Sequence, residues 1–332
     1  MALVRFRSGP WSQMAMVLAA AACWGLSGTV AEALFHRDGF NAGWLVSVRM
    51  LTAGVVLLGA ARVRGQSPWE VWRPPGNWWR LLIFGIVALA GVQWTYLAAI
   101  AASNAPTATL LQYLGPLFLM GWVAVWRREP PSLRQWLAAV LALVGVALLL
   151  GIAGRGGPTV SVAAAGLGLA SAILLAFYSW YPQGLLRAHG ALPVVGTSML
   201  VGGLAASAVF PVWQTAGQAW SWGALAMVAF VAVIGTVVPF TLFLSATRRI
   251  PPTVAVVLAS AEPLAATLAT VLWLHAPWTL RQSLGGLAIV GTVILLASSP
   301  VAGGAEGGGS RGTGEPGAPD SAQDAAPPLD TV

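Results

Sequence analysis

Apolar stretches of 18 or more residues recur along most of this chain, each long enough to cross a hydrocarbon layer roughly 30 Å thick as a helix. In that solvent a helix satisfies its own backbone hydrogen bonds, whereas open strands and loops do not. Composition agrees: 57% of the residues are hydrophobic and 8% are charged, and the mean hydropathy is +0.76. Too little polar surface is left for a water-soluble domain. The expected fold class is an all-α integral membrane protein, with the lipid bilayer as its first partner.

Ten spans are expected, at 13–35, 41–61, 81–101, 105–126, 134–154, 162–182, 193–213, 223–245, 251–273 and 279–298. The net charge of +7 does not mark a nucleic-acid-binding protein, because the basic residues sit in short loops between apolar runs and form no patch. All 17 are Arg, which with the abundance of Ala and Gly fits a GC-rich bacterial genome. Cytoplasmic loops carry the excess of such residues. With the N-terminus inside, Arg5, Arg7, Arg62, Arg64, Arg73, Arg80, Arg127, Arg128, Arg134, Arg187, Arg248, Arg249 and Arg311 fall inside. Only Arg37, Arg155 and Arg281 fall outside, and Arg49 lies within a span. The expected location is the bacterial plasma membrane, multi-pass, with both termini cytoplasmic. Trp78, Trp79, Trp213, Trp220 and Trp222 near span ends suit interfacial anchors.

Arg5 and Arg7 before the first run, and Ala31-Glu32-Ala33 within it, imitate a cleaved signal peptide. The apolar part is too long for that, so the run is kept as a span. Cys23, the only cysteine, is expected to be packed and inert, with no disulfide and no thiol metal site. Residues 301–332 are rich in Gly, Pro, Ser and Ala and are expected to form a disordered cytoplasmic tail.

The chain also repeats itself. Ala105 to Gln135 can be laid on Pro252 to Gln282 at a constant offset. Gly115-Pro116 then falls on Glu262-Pro263, and Glu129-Pro130-Pro131-Ser132-Leu133-Arg134-Gln135 on Ala276-Pro277-Trp278-Thr279-Leu280-Arg281-Gln282. The expected units are 1–154 and 155–300, each a five-helix repeat. An odd number of spans makes the second copy enter the membrane in the opposite sense. Inverted repeats of this kind are a transporter architecture, with the substrate site near the midplane where the halves meet.

With Trp24-Gly25 in the first span, Arg49 in the second, Pro116 and Glu262-Pro263 in the fourth and ninth, and Glu129 ahead of the Gln135 helix, residues 13–298 resemble the drug/metabolite transporter superfamily. The likeness is to its ten-helix EamA-type members. It implies a secondary active transporter, often an exporter of amino acids or related metabolites, with a central cavity between the halves. One position departs from the pattern: many relatives repeat the acid of Glu129 in the second half, where this chain has Ala276.

Ionisable residues inside spans need a partner, a wet cavity or a function. Glu262 lies about midway along the ninth span, just before Pro263, whose ring leaves a carbonyl of the preceding turn without its usual donor. A carboxyl beside a broken ladder is a candidate proton or substrate site; the structural alternative is a protonated side chain bonded to a neighbouring helix. Arg49 can bind a substrate carboxylate bidentately or serve as a structural or snorkelling cation. Glu32, at a comparable depth, either pairs with Arg49 or faces the interface. Trp24, Trp94, Tyr96, Gln112, Tyr113, Tyr178 and Trp180 are candidate cavity-lining residues, with plain packing as the alternative. Pro116 and Pro263 are expected to kink their helices. Glu129 is read as a structural charge at a helix N-terminus, and His275 as a solvated loop residue.

Rival readings are an intramembrane enzyme and a non-transporting membrane protein such as an assembly factor or receptor. A zinc H-E-x-x-H motif does not occur, and Gly308-Gly309-Ser310-Arg311-Gly312 imitates a nucleophile elbow only within the low-complexity tail. A chain without Lys has no P-loop. The expectation is therefore no enzyme, no cofactor and no metal. It is a secondary exporter of small amphipathic or amino-acid-like compounds, working by alternating access with protons as a candidate coupling ion. Fluorescent-protein and alkaline-phosphatase fusions at the C-terminus test the topology: the fluorescent fusion should be bright and the phosphatase fusion inactive.

Overall fold

Every described element of the computed structural model is a helix, over residues 10–103, 105–128, 130–149, 161–265 and 279–297. The first half contains α1 (Pro10–His36), α2 (Ala42–Val63), a 3-10 turn (Pro68–Val71) and α3 (Asn77–Leu82). A π-helical segment (Ile83–Ala90) joins α3 to α4 (Gly91–Ala102), and α5 (Ala105–Gln112), α6 (Gly115–Arg127) and α7 (Leu133–Leu149) follow. The second half has α8 (Val162–Trp180), α9 (Gln183–His189), α10 (Ala191–Val209) and α11 (Trp222–Ala232). A second π segment (Val233–Val237) leads into α12 (Val238–Ala246). Then come α13 (Pro252–Leu258), a 3-10 turn (Ala259–Ala261), a helical turn at 262–265 and α14 (Leu280–Ala297). Arg5, Arg7, Glu129, Arg155, His275, Ala276 and the 301–332 tail lie outside the described residues.

Six of these helices are long and apolar enough to cross a membrane: Trp11–His36, Ala42–Val63, Asn77–Ala102, Val162–His189, Ala191–Val209 and Trp222–Ala246. Shorter apolar helices run over Gly115–Val125, Leu133–Leu148, Pro252–Ala265 and Ser283–Thr292. Two edges differ from the sequence-based expectation for a clear reason. The stretch expected at 193–213 stops at Val209, since Pro211 cannot continue a helix. The stretch expected at 105–126 is two helices, with a turn at Tyr113-Leu114 before Gly115-Pro116.

Local chemistry sets the helix starts. Asn41 caps α2 by accepting from the amides of Gly43 at 2.8 Å and Trp44 at 3.2 Å. Ser161 and Ser221 cap α8 and α11 in the same way, at 3.1 Å and 3.0 Å. Outward-facing Val55, Val87, Leu137, Ile173, Leu204 and Leu287 are exposed. In water such a belt would aggregate; in a bilayer it is the solvated face.

Between helices the contacts come from small residues, since lipid gives apolar side chains no reason to prefer each other. α2 packs along α10, and α7 along α14. A Cβ on Gly54 would lie 2.7 Å from the backbone nitrogen of Leu200, and one on Gly203 would lie 2.9 Å from that of Leu51. A single offset carries Leu51 onto Leu200 and Gly54 onto Gly203, so the α2–α10 contact is reciprocal. Likewise α4 packs on α8 as α12 packs on α1.

Both ends of the α2–α10 pair are tied by loops. At one end the Ala219 amide donates to the Asp38 carbonyl at 2.9 Å and the Trp44 indole to the Val212 carbonyl at 2.9 Å. Phe40, Trp44 and Trp220 close around them with ring centroids 5.1–5.6 Å apart. At the other end buried Asn77 donates to the Val71 carbonyl at 3.0 Å and meets His189 Nε2 at 3.2 Å. Replacing Gly54 or Gly203 with Val should lower stability by about 1–3 kcal/mol through overpacking. Gly59→Val, where nothing lies within 4 Å, should not lower it; thermal melting of purified protein in detergent reads the difference.

Candidate functional site

Where α1, α2, α4, α8, α12 and α13 converge, they leave a cavity of about 60 Å³, room for roughly four water molecules. α2 brings Arg49, α4 brings Gln93 and Tyr96, the end of α5 brings Gln112 and the turn after it Tyr113. α8 brings Tyr178, α12 Phe240 and Phe243, and the helical turn after α13 Glu262. α1 contributes Trp24 and Ser27.

Glu262 is buried, at 6% exposure. Its Oε2 accepts from the Tyr113 hydroxyl at 2.9 Å and its Oε1 from the Tyr96 hydroxyl at 3.3 Å. Thr109 lies 2.9 Å beyond Tyr96 and extends the chain. The carboxyl therefore has two phenol donors facing it, which suits an anion; once protonated, it can itself donate to either phenol. Arg49, also buried at 5% exposure, donates through Nε to Gln93 Oε1 at 2.5 Å, and Gln93 Nε2 reaches Met199 Sδ at 3.5 Å. A neutral amide leaves the Arg49 charge uncompensated at that contact, so among the described residues the cavity wall holds one guanidinium and one carboxyl. The remaining wall is aromatic. Trp24 meets Phe240 and Phe243 at centroid distances of 5.3 Å and 5.4 Å, and Tyr178 meets the same rings at 5.9 Å and 5.7 Å. The buried Tyr178 hydroxyl on this wall has no hydrogen-bond partner among the described residues.

Seven residues singled out from sequence thus share one cavity: Trp24, Arg49, Tyr96, Gln112, Tyr113, Tyr178 and Glu262. Three do not. Glu32, half-buried in the last turns of α1, is off the cavity wall, and Arg49 takes Gln93 as its hydrogen-bond partner. Trp94 is 38% exposed and stacks on Phe210 at 6.1 Å. It follows Gln93 by one residue, a turn of about 100° that carries it off the face shared by Gln93 and Tyr96. Trp180, two residues past Tyr178, lies around the same helix and meets Trp122 edge-on at 5.7 Å. The expected proline kinks are interruptions instead. Pro116 sits in the first turn of α6 after a break, and Pro263 follows a 3-10 turn.

Gln93, Ser27, Gly235, Phe240 and Phe243 were not legible from sequence as site residues. Gln93 carried a signal, being an amide in an apolar run three residues before Tyr96. Gly235 did not: only the structure shows its Cα pressed against Ser27, where an added Cβ would collide with Ser27 Oγ and Cβ. Gly235→Ala should therefore destabilise by about 1–3 kcal/mol, and Ser27→Gly should recover most of that loss in the double variant, as read by thermal melting.

The chain matches the EamA-like transporter family over residues 11–151 and again over 162–298. It is 36% identical to the uncharacterized inner membrane transporter YicL of Salmonella typhimurium, over 86% of this chain and 94% of that protein. It is 26% identical to the threonine/homoserine exporter RhtA of the same species, over 87% and 90%. A solved crystal structure superimposes with a TM-score of 0.71 at 20% identity, over 86% of this chain and 96% of the other, which shows a shared fold.

Proposed function

We propose, from the premise that this chain belongs to the EamA-like transporter family, that it is a proton-exchanging secondary exporter of small amphipathic or amino-acid-like compounds, working by alternating access. The observation that carries the reading is the single cavity whose wall holds both the Arg49 guanidinium and the Glu262 carboxyl among aromatic rings. Arg49 offers donors for a cargo carboxylate. The rings suit the apolar part of the cargo. Glu262 is the group that takes up and releases a proton as the cavity changes sides. The name of the relative RhtA supports an amino-acid-like cargo.

The proposed framework is ten transmembrane helices in two inverted repeats, 1–154 and 155–300, with both termini and the 301–332 tail in the cytoplasm. Several observations support it. The family matches this chain twice, in segments of similar length. Each half carries a π segment in what is then its third span, Ile83–Ala90 and Val233–Val237. Each is interrupted just before a proline in its fourth, at Tyr113-Leu114 and at Ala259–Ala261. The reciprocal contacts of α2 with α10, and of α4–α8 with α12–α1, follow from the same pseudo-two-fold relation.

Flux of amino acids and organic cations across proteoliposome membranes, with and without an imposed pH gradient, tests the reading. The wild type should respond to the gradient and Glu262→Gln should lose that response. Arg49→Met should weaken transport of carboxylate-bearing cargo by about 10- to 100-fold. Gradient-driven flux that is unchanged in Glu262→Gln would refute the assignment of that carboxyl.

A further inference from the structure

The Tyr113 hydroxyl has one proton and two acceptors within reach. One is Glu262 Oε2, at 2.9 Å, and the other is the backbone carbonyl of Ala259, at 2.8 Å. A phenol donates a single hydrogen bond, so it serves one of them at a time. The identity of the second acceptor is not incidental. In an unbroken α-helix the Ala259 carbonyl would accept from the amide of the residue four positions on, which is Pro263 and has no N–H. The chain tightens there into a 3-10 turn in which the Glu262 amide bonds the same carbonyl, a geometry poorer than the α-helical one. The Tyr113 hydroxyl, 2.8 Å away, supplies a donor in place of the one the proline removed.

We infer that Tyr113 is a positioning residue that links the charge on Glu262 to the helix break at Ala259–Ala261. The inference rests on the proton-exchange reading above and names the part that converts protonation into movement. With Glu262 ionised, the Tyr113 hydroxyl is drawn to Oε2, and the Ala259 carbonyl keeps only its 3-10 bond. When Glu262 takes up a proton, its own O–H donates to the Tyr113 oxygen and the Tyr113 hydroxyl turns to the carbonyl. The phenol proton never leaves Tyr113; only its direction changes. The break is therefore held more firmly when Glu262 is neutral and released when it is charged.

The other ionisable groups around this carboxyl make a different arrangement. Tyr96 of α4 also donates to it, but its further neighbour is the Thr109 hydroxyl, which can donate in turn, so no backbone group is left short there. Tyr178 of α8 and Arg49 of α2 lie on the same cavity wall, and among the described residues neither bonds the carboxyl or the backbone at Ala259–Ala261. Tyr96→Phe is accordingly the matched control, removing a donor to Glu262 without touching the helix break.

The test uses the full-length protein in proteoliposomes, followed by infrared difference spectroscopy across a pH titration. The Glu262 carboxyl band is assigned by its loss in Glu262→Gln. In the wild type and in Tyr96→Phe, an amide carbonyl change should titrate together with that band. In Tyr113→Phe the carboxyl band should remain and the amide change should vanish. Pro263→Ala, which returns an N–H to the position facing Ala259, should shrink the amide change with Tyr113 intact. In flux assays Tyr113→Phe should lose about tenfold of the stimulation by a pH gradient. An amide change that persists in Tyr113→Phe, or disappears equally in Tyr96→Phe, would overturn the inference. Spectroscopic coupling without flux of any cargo would uphold the link and count against the transport reading. Gradient-driven flux through Glu262 without the coupling would do the reverse.

Discussion

Hydrocarbon offers no hydrogen bonds, so each polar group that enters the bundle must be answered by another part of the chain. The consequences run through the whole molecule. Ser47, buried in α2, lies between the carbonyls of Gly43 at 3.2 Å and Phe210 at 3.0 Å, and so ties two helices. Thr95 turns back to the Gly91 carbonyl at 2.8 Å, and Gln112 reaches Ser171 at 2.6 Å. Against that background an arginine with a neutral partner and a carboxyl held by two phenols are departures, and they share one cavity. The surrounding bundle is what makes them tolerable: both sit at about a twentieth of full exposure, enclosed by aromatic rings that leave little room for water.

Much of this was legible in the order of residues, and the boundary is physical. Span positions follow from apolar length alone, and the importance of Glu262-Pro263 follows from a charge and a missing donor in the middle of a span. Both are one-dimensional facts. Which way a side chain faces is not, as Trp94 shows: it and Gln93 are adjacent, equally deep and equally plausible, yet only Gln93 reaches the cavity. Gly235 is harder still, since a glycine in an apolar run looks the same whether it packs on Ser27 or on lipid. The π segments were also silent, because an extra residue per turn leaves the apolar pattern of an all-round hydrophobic helix unchanged.

The two halves are alike in backbone and unlike in chemistry. Laying one on the other brings Gly115 to the position of Glu262, and Gly115 is pressed against Leu175 and the Ala172 carbonyl, with no space there for a longer side chain. The first half's interruption thus closes against α8, while the second half's carries the acid and opens onto the cavity. On the proposed inverted-repeat framework, duplication supplies a scaffold that can be read in either direction across the membrane. The side chains added afterwards make the two copies unequal, and the unequal positions are where a cargo and an ion can be told apart.

That inequality has an energetic corollary. Among the described residues Glu262 is the only carboxylate on the cavity wall, so on the proposed mechanism each turnover exchanges at most one proton. For a zwitterionic cargo of no net charge, one proton entering as one molecule leaves carries a single positive charge inward. The membrane voltage then drives the exchange as directly as the pH difference does, by about 2.3 kcal/mol for each 100 mV. It also sets a ceiling: with one proton per molecule, the cargo ratio across the membrane can equal the proton-motive ratio and cannot exceed it. A second carboxyl in the Gly115 position, had there been space for one, would have raised that ceiling to the square of the proton-motive ratio.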